Sequence, residues 1–221
     1  DAIRAALAHL DTGITNVEFE NVRLEELGAS KRLLAAVEED LAAGDTALLM
    51  LGDPIAVSRG DEKLIARKLV TFHSNSRGES VKFDMADESD GVKRVIGLLP
   101  IFLDLRAGKS RMVYVVDELD RSLHTLITRS LLQGFLSNCS SESRAQLLFT
   151  TYDLLLMDQD LLRRDEIWAA ERTSAGGTSL TSLSEFKDVR YDKDIRKSYL
   201  QGRFGGIPRV VFDGKSGNVD F

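Results

Sequence analysis

The residues most able to do chemistry lie in the run Val115-Val116-Asp117-Glu118-Leu119-Asp120. Two adjacent carboxylates close an apolar, β-branched stretch, which is the Walker B arrangement. A strand of this kind delivers both acids to its C-terminal end, the edge at which open α/β sheets bind ligands. There Asp117 is suited to hold the water shell of a Mg²⁺ ion, and Glu118 to orient or polarise an attacking water. Acids are also common where strands simply end in solvent, so the dipeptide by itself leaves both readings open.

Two further places bear on that choice. Upstream, Glu88-Ser89-Asp90-Gly91-Val92-Lys93-Arg94 puts a serine and a glycine at the start of a helix. Unpaired N–H groups and the helix dipole favour an anion there, so Ser89, Asp90 and Gly91 form a candidate phosphate site. Taken alone, an ordinary N-cap by Ser89 or Asp90 is the stronger reading. Downstream, Phe149-Thr150-Thr151-Tyr152-Asp153 ends the next apolar run.

A glycine-rich phosphate loop, Gly-x-x-x-x-Gly-Lys-Ser/Thr, does not occur in the 221 residues. Gly108-Lys109-Ser110 has Leu103 where the first glycine belongs, and it precedes a strand instead of following one. Gly214-Lys215-Ser216 fails as well, with Arg209 at the glycine position. His73 has no second His or Cys near it in sequence, which disfavours a metal. His9 reads as an ordinary helix residue and His124 as a surface or interface residue. Trp168 and Phe204 read as core, and Arg203 as the partner in a structural salt bridge.

These residues need elements to position them. Residues 1–10 read as a helix, Ile14–Glu20 as a half-buried alternating strand, and 29–43 as a helix stopped by Gly44. Lys68–His73 and Ser80–Met85 form a hairpin across Ser74–Gly78. A helix is expected over Asp90–Arg106, with Pro100 kinking or breaking it. Met112–Val116 and Ala145–Thr150 are short apolar runs, expected as strands buried on both faces. A helix over Ser122–Phe135 joins them, and the strand–helix–strand order predicts that they pair in parallel. Glu166–Glu171 and Ser179–Leu183 flank Gly176-Gly177 as a peripheral hairpin.

Composition sets the outer limits. Hydrophobic residues make up 43% of the chain and charged residues 29%, as in globular proteins. No apolar run reaches the ~18 residues of a membrane span, so no membrane partner is expected. The single cysteine, Cys139, cannot form an intrachain disulfide, and a cytoplasmic location follows as the default. A net charge of −6 gives no support to a DNA-coating surface, although DNA stays open as a partner.

With these residues in view, the chain resembles the ABC-type ATP-binding proteins of bacterial abortive-infection and restriction-linked loci. This is the RloA-like group, related to SMC and overcoming-lysogenisation-defect ATPases. The resemblance runs from about residue 64 to 208. It rests on Asp84–Arg94 (DMADESDGVKR), Val116–Leu123 (VDELDRSL) with His124, and Leu148–Leu155 (LFTTYDLL). Leu162–Trp168 (LRRDEIW), Ser182–Lys187 (SLSEFK) and Tyr199–Pro208 (YLQGRFGGIP) are specific to the group.

What the resemblance implies is the C-terminal portion of an ABC-type P-loop NTPase head, an α/β fold with a mainly parallel sheet flanked by helices. Residues 1–63 would end an insertion region, 64–208 would form the lobe with signature, Walker B, D-loop and switch loop, and 209–221 a tail. Because no P-loop occurs in these residues, the lobe that carries it is expected before Asp1, leaving these residues inactive alone. ATP with Mg²⁺ would close a head-to-tail homodimer. Ser89, Asp90 and Gly91 would touch the γ-phosphate in trans, Asp117 and Glu118 would serve nucleotide in cis, and Asp120 to His124 would form the D-loop. Tyr152 stands where the group's relatives carry a switch histidine; a phenol with pKa ~10 donates a hydrogen bond but does not titrate near neutrality, which implies slow hydrolysis or a merely packed residue.

The function so implied is an ATP-driven switch in phage defence, working with a nuclease or toxin effector. Its alternatives are a non-hydrolysing interaction module and an ATPase coupled to a nuclease. For the last, Asp192-Lys193-Asp194 offers one Toprim element without a companion glutamate.

Overall fold

The computed structural model describes residues 2–10, 12–23, 26, 29–42, 45–51, 53–60, 64–108, 110–173, 175–186, 195–207, 211–212 and 215–216. The helix stop at Gly44 and the Asp192-Lys193-Asp194 element lie outside them, as do Lys109 and Gly214. The chain divides into two compact units, residues 1–110 and 111–221.

The spine of the first unit is one long strand, β4 (Leu64–Ser74). Strand β1 (Ile14–Val22) runs antiparallel to it along one edge, from Ile14 opposite His73 to Val22 opposite Ala66. The other edge is shared. Strand β3 (Asp53–Arg59) pairs with Leu64–Lys68, and β5 (Ser80–Asp84) pairs with Val70–Ser74. Strand β2 (Thr46–Leu51) completes the sheet beside β3. The predicted β4–β5 hairpin is present. Its turn is held by the Asn75 side-chain carbonyl, which accepts from the N–H groups of Arg77 and Glu79.

This sheet corrects the expectation of a mainly parallel fold: all five strands pair antiparallel. For the β2–β3, β3–β4 and β4–β5 pairs the cause is the shortness of the connections. One residue separates β2 from β3, and five separate β4 from β5. A parallel crossover needs a dozen or more.

Helix α1 (Ala2–His9) packs on β1 and on α3, and α2 (Lys31–Asp40) starts at Ser30, whose side chain accepts from the N–H of Leu33. Val37 and the adjoining Leu41 meet Ile55, Val57 and Ala66 of the sheet. Helix α3 (Asp90–Arg106) carries a buried stripe of Val95, Leu98, Leu99, Phe102 and Leu105, the spacing of one helical face. It continues through Pro100, so of the kink or break expected there the break does not occur. Pro100 is exposed, so its ring meets solvent and not a packed neighbour.

In the second unit, β6 (Val113–Val116), α4 (Thr125–Leu136) and β7 (Gln146–Phe149) form the predicted strand–helix–strand, and β6 and β7 pair in parallel. Neither strand is covered on both faces. Val116 is buried, but Val115 is 71% exposed, and Val113 and Leu148 are exposed too. Helix α4 begins three residues later than expected because Ser122 has a left-handed backbone, φ 60°, which no helix accommodates. Strands β8 (Trp168–Arg172) and β9 (Thr178–Ser182) make the peripheral hairpin. Ala169 and Leu183 from this region join Ile195 of α5 (Ile195–Leu200) and Phe204 in a small core. Phe204 is core as expected. Trp168 is not: it is 56% exposed, its indole N–H donating to the Asp165 carbonyl. Short strands β10 (Val211–Phe212) and β11 (Lys215–Ser216) pair with each other. Arg203 is exposed and forms no ion pair among the described residues, against the expected salt bridge.

Candidate functional site

Strands β6 and β7 run side by side, with Val116 opposite Phe149, so the residues that follow each strand emerge together. Those residues are Asp117 and Thr150. Four hydrogen bonds join Thr150 to four successive residues. Its N–H donates to the Val116 carbonyl at 3.1 Å, and its carbonyl accepts from the N–H of Leu119 at 2.9 Å. Its hydroxyl donates to Oδ1 of Asp117 and accepts from the N–H of Glu118 at 2.9 Å. Leu119 is fully buried and anchors the turn from below. Asp117 is exposed and Glu118 half-buried.

Glu118 has φ 49°, a left-handed conformation rare for a residue with a side chain. The turn continues with the Arg121 N–H donating to the Glu118 carbonyl and the Leu123 N–H to the Asp120 carbonyl. Oδ1 of Asp120 is buried without a hydrogen-bond partner among the described residues. His124 then caps α4, Nδ1 accepting from the N–H of Leu126 at 3.1 Å.

Side chains also stitch the segment after β7 in place. The Thr125 hydroxyl donates to Asp153, whose other oxygen accepts from the N–H of Leu155 at 2.9 Å. Arg129 meets Asp158 at 2.6 Å. The Asp160 N–H and the Arg129 guanidinium hold the Asp158 carboxyl below its usual range, with burial working against them. Tyr152, at the same sheet edge as Glu118, is 85% exposed, so it is not the packed residue the sequence left open.

Ser89, Asp90 and Gly91 belong to the first unit. Ser89 is the N-cap of α3, its hydroxyl accepting from the N–H of Val92 at 3.2 Å. Asp90 is exposed in the first turn and Gly91 is half-buried. Behind them Glu88 is buried, its carboxylate shared by Thr71 and His73. The sequence reading missed Glu88, Thr150 and Asp158. Thr150 was within reach, since parallel pairing of the two apolar runs puts the residue after one beside the residue after the other.

A family model described as "AAA domain, putative AbiEii toxin, Type IV TA system" matches residues 5–158. The chain belongs to this family. An AAA domain implies a nucleotide-binding function of the ATPase type. The matched residues take in Ser89, Asp117, Glu118 and Tyr152, while the motifs at 162–168, 182–187 and 199–208 lie beyond them. No curated protein matches the chain. Among the described residues no helix is long and apolar enough to cross a membrane.

The donor set of this AAA domain bears on the metal such domains use. Among the described residues, no three His, Cys, Asp or Glu side chains gather into a metal cage. Asp117 is one exposed carboxylate at a strand end. That suits Mg²⁺, which keeps most of its waters and takes one or two carboxylates together with substrate phosphates.

Proposed function

We propose that residues 64–208 act as the C-terminal lobe of an ABC-type ATPase head, with 1–63 as an insertion region and 209–221 as a tail. In this reading ATP closes two copies head-to-tail, and hydrolysis reopens them. The setting is bacterial phage defence, in concert with a nuclease or toxin effector. The observation that carries the reading is the pair Asp117–Glu118 at the C-terminal end of the parallel strands β6 and β7, inside the AAA match.

Each residue has a role the local chemistry supports. Asp117 would hold Mg²⁺ through its water shell, and the ion would neutralise charge on the phosphates. Glu118 would orient the attacking water. Ser89, Asp90 and Gly91 at the start of α3 would meet the γ-phosphate bound to the other copy. Asp120 would sit in the D-loop, where its Oδ1, without a partner among the described residues, would take a donor across the dimer. Tyr152 would donate its phenol O–H to a phosphate oxygen.

The test is Glu118→Gln in the complete protein. The amide keeps size and hydrogen-bonding capacity but loses the charge that draws a proton from water. Nucleotide affinity should hold while turnover falls by ~10²–10⁴. Unchanged turnover in this variant would remove the reading. One observation favours a second one, a non-hydrolysing interaction module: the apolar side chains of Val113, Val115 and Leu148 are exposed. ATP turnover by the unmodified protein excludes it.

A further inference from the structure

Thr150 is exposed, so it does not owe its place to packing. Its hydroxyl nonetheless bonds in both directions, donating once and accepting once. A hydroxyl carries one hydrogen and two lone pairs. The hydrogen is committed to Asp117, because an ionised carboxylate can only accept, and a lone pair takes the N–H of Glu118. One side chain therefore fixes both acids at once, the first through its carboxylate and the second through its backbone.

The second bond matters because of the backbone it holds. At φ 49° Glu118 is in a region that side-chain-bearing residues rarely adopt, because Cβ crowds the following carbonyl oxygen. Such a conformation persists only where its surroundings over-determine it. Here the determinants include the Thr150 hydroxyl on the Glu118 N–H, the Thr150 carbonyl accepting from Leu119 one residue on, and the Arg121 N–H donating to the Glu118 carbonyl. The direction in which the Glu118 side chain leaves the backbone follows from that conformation.

We infer that Thr150 is the positioning residue of the Asp117–Glu118 pair: its hydroxyl sets the orientation of the Asp117 carboxylate and keeps Glu118 in the left-handed turn that aims its side chain. The inference rests on the hydrolytic reading of the two acids given above. It assigns Thr150 no contact with nucleotide.

The experiment compares Thr150→Val with Thr150→Ser in the complete protein. Valine keeps the shape and both backbone bonds but has no hydroxyl; serine keeps the hydroxyl. Loss of an outer-shell partner of this kind typically costs ~10–100-fold in activity. For Thr150→Val, kcat should fall by about that factor, KM for ATP should move less than about threefold, and the Glu118 amide should exchange its hydrogen faster. Thr150→Ser should stay near the unmodified protein in all three. Full turnover in Thr150→Val, alongside an inactive Glu118→Gln, overturns the positioning role and leaves the hydrolytic reading intact. Equal losses in Val and Ser overturn it too, because the methyl and not the hydroxyl would then matter. Turnover retained by Glu118→Gln removes the hydrolytic reading, and this inference with it.

Discussion

His73 Nε2 lies 2.7 Å from Oε1 of Glu88, and the Thr71 hydroxyl donates to the same oxygen. Glu88 is only 8% exposed and immediately precedes Ser89, the cap of α3. Thr71 and His73 belong to β4, the strand around which the whole antiparallel sheet is assembled. The sheet thus fixes the start of α3 through a buried carboxylate. His73 is held in turn, its ring edge-on to Phe83 at 4.8 Å. What looked in sequence like an isolated histidine is a structural partner to the segment that leads into Ser89, Asp90 and Gly91.

Removing that carboxylate should loosen the first unit. Glu88→Ala leaves the fully buried Thr71 hydroxyl only the long 3.4 Å bond to the Phe83 carbonyl, and a poorly satisfied buried polar group costs up to ~1–3 kcal/mol. Glu88→Gln retains an acceptor oxygen and should lose less. Urea unfolding of the two variants checks the order, and equal losses would mean that the Thr71 and His73 bonds contribute little.

A second prediction concerns acid stability in the other unit. The Asp158 carboxyl is held below its usual range by the Asp160 N–H and by Arg129. A carboxyl with a depressed folded pKa contributes stability that is present above the unfolded value, near 4, and is lost as pH falls through the lower folded value. Asp158→Asn should therefore lower stability at pH 7 by a fraction of a kcal/mol, as partly exposed pairs do. The difference from the unmodified protein should shrink below pH 4. Melting curves from pH 7 to pH 2 read it directly, and a gap that widens in acid would contradict the assignment.

The parts of the fold that were legible in sequence are those with a clear period. Ile14–Glu20 alternates and is a strand. The stripe from Val95 to Leu105 repeats on one helical face, and the Asn75–Gly78 turn announces its hairpin. Strands β2 and β3 offered no such period, because Ala47–Val57 reads as one apolar run interrupted near Pro54. Their pairing with β4 depends on side chains far away in sequence. The exposure of Val113 and Val115 was illegible for a different reason: an apolar β-branched run says that a strand forms, not how many of its faces are covered. At the site, Asp117 and Glu118 announce themselves by type, whereas the Thr150 bond exists only through the register of β6 against β7.

Ser89 supplies the last prediction, because its local role constrains how its proposed distant role can be tested. Its hydroxyl caps α3, so any residue without a capping side chain should lower stability by ~1 kcal/mol, whatever Ser89 does elsewhere. Ser89→Arg alone is therefore ambiguous, since it removes the cap and adds bulk together. Three variants separate the effects. Ser89→Asn keeps a capping oxygen and should melt close to the unmodified protein. Ser89→Ala loses the cap but stays small, so the complete protein should melt lower and still dimerise with ATP. Ser89→Arg should melt like Ser89→Ala yet remain monomeric, because its side chain occupies the space where the partner's γ-phosphate must dock. Sedimentation with and without ATP, beside thermal melts, distinguishes the outcomes. If Arg and Ala variants dimerise alike, Ser89 is a helix cap and nothing more, and the trans contact must be sought elsewhere.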